Sequence, residues 1–90
     1  MTHKNKIDEV FGSTGVARQG PWSVRAVASW IKPGQFIVRI EHDEPERGGW
    51  IRYLLGQPGT GPRYFASLDE AQAAGRAFLA APRLDACWAL

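Results

Sequence analysis

The stretch Tyr64-Phe-Ala-Ser-Leu-Asp-Glu-Ala-Gln-Ala-Ala-Gly-Arg-Ala-Phe-Leu-Ala-Ala-Pro82 decides how the rest of the chain is read. Ser67 is a good N-cap, because its hydroxyl can accept from a free backbone N–H of the first turn. Glu70, three residues on, can reach back to complete a capping box. Asp69 and Glu70 put negative charge where the helix dipole favours it. Leu68, Ala71, Gly75, Phe78 and Leu79 then recur at helical spacing on one face, with Asp69, Gln72 and Arg76 on the other. Ala71, Ala74 and Gly75 are small enough to let the helix axis approach a sheet closely. Pro82 stops the helix, since it has no N–H and disfavours helical geometry just before it.

Upstream of this helix the period changes to two. Trp22, Val24, Ala26, Ala28 and Trp30 share one face of a predicted strand, and Ser23, Arg25, Val27 and Ser29 share the other. Lys32-Pro33-Gly34 supplies a type II turn. From Gln35 to His42, Phe36, Val38 and Ile40 alternate with Gln35, Ile37, Arg39 and Glu41, which predicts the second arm of a hairpin. His42 to Gly49 reads as an acidic connection. Trp50 to Leu55 is a third strand, with Ile51, Tyr53 and Leu55 inward and Trp50, Arg52 and Leu54 outward. Arg63 to Ala66 either adds a short fourth strand or runs into the helix. The expected fold is α+β: a three- or four-stranded antiparallel sheet with one main helix on one face. Residues 22–81 form its core. Residues 1–15 are loosely attached, with a helical turn at Ile7, Val10 and Phe11. The apolar tail 83–90, carrying Leu84, Trp88 and Leu90, is expected to dock on the body.

Ninety residues make one domain with one modest core. A net charge of +2 is mildly basic, short of the excess that would by itself argue for nucleic acid. The single cysteine, Cys87, permits no internal disulfide and reads as a buried small hydrophobe. No apolar run is long enough to span a membrane, and no signal peptide follows Lys4 and Lys6, so the cytoplasm is the expected location.

The glycine-rich loop Gly56-Gln-Pro-Gly-Thr-Gly-Pro62 sits between strand and helix, as a phosphate loop would. It lacks the terminal Gly-Lys-Ser/Thr that brings an ammonium and a hydroxyl to phosphate and magnesium. No nucleotide cofactor is expected. His42 with Asp43, Glu44 and Glu46 reads as a solvated acidic turn and not as a metal site, because no second His or Cys stands at ligand spacing. His3 lies in the N-terminal stretch. No Ser-His-acid set can be assembled, so the chain reads as a non-catalytic binding module with no cofactor.

The face of the sheet turned from the helix is where a ligand is expected. Arg25, Arg39 and Arg52 come from three strands and share it, with Trp50 among them and Glu41 nearby. Guanidinium groups can meet phosphates or guanine edges, and an indole can stack. Three strands followed by Phe65-Ala-Ser-Leu-Asp-Glu-Ala-Gln-Ala-Ala74 resemble two DNA-binding families, the plant ethylene-response-factor domain and the arm-binding domain of phage-type integrases. The resemblance covers roughly residues 22–81. It implies that Arg25, Arg39, Trp50 and Arg52 enter a DNA major groove while the Ala-rich helix backs the sheet. The acidic connection, the low net charge and the apolar tail depart from that pattern. Element order is also similar to the double-stranded-RNA-binding domain, but Ser67-Leu-Asp-Glu70 stands where that family places lysines. The rival expectation is a protein-interaction module or inhibitor of bacterial, phage or other mobile-element type. In it Val27, Ile37, Trp88 and Leu90 would grip a protein partner or form a homodimer.

Overall fold

A computed structural model of the chain describes residues 16–57 and 59–90. The helical turn expected at Ile7 to Phe11, its Gly12–Gly15 terminator and His3 lie outside the described residues, as does Pro58. The strands are β1 (Val16–Gln19), β2 (Trp22–Ala28), β3 (Phe36–Glu44), β4 (Gly49–Gln57), β5 (Gly61–Pro62) and β6 (Cys87–Ala89), with the helix α1 (Leu68–Ala80) between the last two. The sheet runs in the order β1-β2-β3-β4, with β6 on the far edge of β4 and β5 pairing with the end of β4 on its β3 side, past the last β3–β4 pair. Every pairing is antiparallel.

The α+β class and the single main helix agree with the sequence, whereas the strand count is six instead of three or four. The added strands are too short to show a periodicity. β1 has four residues and β5 two. β6 is made of three residues of the tail, which docks by hydrogen bonding its backbone to the sheet edge with Leu55↔Cys87, Leu54↔Trp88 and Tyr53↔Ala89 in register. Phe65 adds an isolated bridge to Phe36, with N–H···O bonds of 2.8 Å in both directions.

Turn chemistry fixes the hairpins. Gly20, at φ 60°, is the first of the two residues joining β1 to β2, the position a type II′ turn gives to glycine. Gly34 at φ 82° follows Pro33, and the Gln35 N–H donates to the Lys32 carbonyl at 3.2 Å, which is the expected type II turn. β2 ends at Ala28 and not at Trp30, because the Ser29 hydroxyl accepts from the N–H groups of both Ile31 and Lys32 at 2.9 Å. A serine that bonds its own loop in this way competes with the ladder, and it leaves Trp30 60% exposed.

Ser67 caps α1, accepting from the Glu70 N–H at 3.1 Å. Ala71, Gly75, Phe78 and Leu79 are buried beneath the helix, while Leu68, in its first turn ahead of this packed stretch, is exposed. They meet Val24, Val38, Ile40, Tyr53 and Leu55 from the sheet, with Phe65 and Cys87 closing the core. The Trp22 ring stands edge-on to Phe78 at 5.2 Å. The inward and outward sets of β2, β3 and β4 fall as their alternation predicts.

The glycine-rich loop is a hairpin that folds β5 back on β4, with the Thr60 N–H donating to the Gln57 carbonyl at 3.0 Å. A Cβ on Gly56 would run into the Gly61 carbonyl oxygen and lie 2.8 Å from Pro62 Cα. Gly56→Ala is therefore expected to destabilise the fold by about 1–3 kcal/mol, the usual range for overpacking. A urea titration checks this; an unchanged midpoint would mean that the two strands do not approach so closely.

Candidate nucleic-acid interface

The face away from α1 can be read as rows across the strands. One row is Arg18, Ser23, Glu41 and Arg52; the next is Val16, Arg25, Arg39, Leu54 and Trp88. Val27 stands opposite Ile37 at one end, and Asp43 opposite Trp50 at the other. Arg25 and Arg39 are thus direct cross-strand partners. Like charges placed so oppose the pairing that holds a sheet together.

Arg52 Nε lies 3.3 Å from Glu41 Oε2, so one carboxylate of this face is engaged with one guanidinium. Among the described residues no ion pair is made by Arg18, Arg25 or Arg39. These three line a recess of about 120 Å³ together with Val16, Ser23, Val24 and Glu41. Arg18 and Arg25 are exposed and Arg39 is half-buried. Ser23, 6% exposed, lies on the same face and also lines the recess. Three arginines around one concavity suit an anion of phosphate size, with the Glu41 carboxylate that shares the recess drawn to Arg52.

The sequence pattern brought Arg25, Arg39, Arg52 and Trp50 to this face, and they lie on it. Trp50 is 48% exposed. Arg18 was missed as a contributor, because β1 was not recognised as a strand, while Ser23 was placed on this face of β2 but not singled out. The signal that could have found Arg18 is Gly20-Pro21 standing directly before an alternating run. Of the apolar set proposed for a protein partner, Ile37 is fully buried, Val27 and Trp88 are half-buried, and Leu90 is exposed. Ile37 packs within the fold and offers no contact surface. The tail does not lie over the arginines; it extends the sheet beyond β4.

His42 is not part of a solvated turn. β3 continues through Glu44, and the connection to β4 shrinks to a 3₁₀ turn over Pro45–Arg47. The His42 ring stacks on Trp22 with centroids 3.9 Å apart, and its Nδ1–H donates to Glu44 Oε2 at 2.8 Å. Glu44 also accepts from the Tyr53 hydroxyl at 3.0 Å and from Arg47 Nη1 at 3.1 Å. The hydrogen bond from His42, with lesser help from Tyr53 and Arg47, holds the Glu44 carboxyl below its ordinary value of 4.5 against a smaller opposing effect of burial. Burial, and then the Glu44 hydrogen bond, push the Tyr53 phenol up. This network ties the β3–β4 hairpin together on the helix side of the sheet. Among the described residues no group of three or more His, Cys, Asp or Glu is disposed to hold a metal ion. Cys87 is buried, and its thiol is pushed up to about 11, first by burial and then by Asp85 and Glu44.

No protein-family model matches the chain, and neither a curated protein nor a solved structure does. No helix among the described residues is long and apolar enough to cross a membrane.

A carboxyl held low in the fold contributes stability that is complete above its unfolded value and is lost as the pH falls through the folded one. For Glu44 that loss lies below 4.5. Urea midpoints measured from above to below this pH should fall for the natural chain. Glu44→Gln should start lower and fall less steeply. Parallel curves would remove Glu44 from the acid response.

Proposed function

We propose that this chain is a small, non-catalytic module that binds nucleic acid through the sheet face opposite α1. The observation that carries the reading is the cross-strand pair Arg25 and Arg39, with Arg18 beside the same recess and no ion pair to any of the three among the described residues. Opposed guanidinium groups detract from the pairing by roughly 0.2–1 kcal/mol. A polyanion laid on the face would turn that repulsion into attraction. Arg52 extends the basic surface by one row, although Glu41 partly neutralises it. Trp50 offers a ring beside it.

The rival reading, a protein-binding or dimerising surface, has less beneath it. Of its four residues Ile37 is fully buried, and the tail that was to grip a partner is engaged with β4. A cytoplasmic accessory protein of a phage or other mobile element would be a natural setting for such a nucleic-acid-binding module. The absence of a disulfide partner for Cys87 is compatible with that setting.

Arg25→Gln separates function from folding. Removing one of two opposed charges should leave the thermal midpoint unchanged or raise it. At the same time, affinity for an oligonucleotide should drop and the slope of log K against log salt should shrink by about 1. Fluorescence anisotropy over a salt series, paired with a melt, reads both. An affinity that ignores salt would defeat the proposal.

A further inference from the structure

Resting on that reading, we infer that the ligand of this face is a single-stranded nucleic acid running obliquely over the strands, and not a duplex entered through its major groove. The first reason is width. The row holding Arg18, Ser23, Glu41 and Arg52 spans four strands, β1 to β4. At about 4.8 Å per strand that is roughly 14 Å between the outer backbones before any side chain is added. B-DNA's major groove is about 12 Å wide and admits a helix or a two-stranded ribbon. The row of Arg25 and Arg39 is wider still, because β6 extends it with Trp88.

The second reason is charge. Beyond the Trp22↔His42 pair the sheet narrows to two strands, where Asp43 faces Trp50 and Glu44 faces Gly49, whereas at the opposite end, where β2 pairs β3 through Ala28↔Phe36, Phe65 bridges to Phe36 as a third segment. Asp43, Glu44 and Glu46 stand at that tip. A duplex groove approached with that β3–β4 tip would meet three carboxylates against the single guanidinium of Arg47, which pairs with Glu44.

The third reason is the indole. Trp50 lies on the same face one row beyond Arg52, about half exposed. A base within a duplex has both faces stacked and cannot use that ring, whereas an unpaired base can. A single strand with a phosphate in the recess of Arg18, Arg25 and Arg39 would cross Arg52 and reach Trp50 roughly 13 Å further along the strand direction, at about 3.3 Å per residue. Ring stacking beside a basic track is how sequence-tolerant single-strand binders hold their ligand.

The test compares four labelled probes on the full chain at one salt concentration. They are an oligothymidylate, an oligouridylate of equal length, the thymidylate annealed to its complement, and heparin as a polyanion without bases. At least one single strand is expected to bind tenfold or more tighter than the duplex. Trp50→Ala should weaken that strand by about 5- to 100-fold. It should leave heparin unaffected, and Trp50→Phe should retain most of the affinity. A duplex bound as tightly as both single strands, or a Trp50→Ala loss shared equally by heparin, overturns the inference while leaving nucleic-acid binding in place. If none of the four probes binds, the underlying reading fails as well.

Discussion

The constraint on which the structure depends is register. Side chains in a strand alternate with a period of two, so a one-residue slip would exchange the two faces of the sheet. Val24 against Ile40 and Ala26 against Val38 put small and branched side chains beneath α1. The same pairing necessarily puts Arg25 against Arg39 on the other side. The core and the repulsive arginine pair are thus one choice. Moving either strand by one position to separate the arginines would bring guanidinium groups under Phe78 and Leu79. Glycines pin the choice, with Gly20 and Gly34 in left-handed conformations at the two turns that flank β2.

The helix was legible because its signals agree: a cap at Ser67, acidic residues in the first turn, a small-residue stripe, and a stop at Pro82. The parity of the three long strands was legible for the same reason, even in β4, where Leu54 and Leu55 are both buried. What alternation could not reveal were β1, β5 and β6, whose few residues are too short a run to show a period, although Ala17 and Cys87 reach the core. Missing β1 also meant missing Arg18. The extension of β3 through Glu44 was hidden by composition, since acidic residues before Pro45 imitate a loop. Only the fold shows that Trp22 stacks against His42 and that Tyr53 and Arg47 converge on Glu44.

The face opposite the helix is not uniformly polar. Ile37 and Leu54 are fully buried on it, and neither belongs to the core beneath α1. Their cross-strand neighbours are Val27, Arg39 and Trp88. The middle of the sheet therefore has apolar packing on both sides, which stiffens the platform on which Arg25 and Arg39 stand. A guanidinium borne on a rigid strand loses less freedom when it meets a ligand than one on a loop.

The β3–β4 hairpin also gives the molecule an electrical direction. Carboxylates gather at its tip, and guanidinium groups gather nearer the middle of the sheet. The net charge of +2 conceals this separation. A polyanion drifting towards the protein would be turned before contact, its approach discouraged at one end of the strands and welcomed further along them. That torque would select the orientation of an encounter before any specific bond had formed.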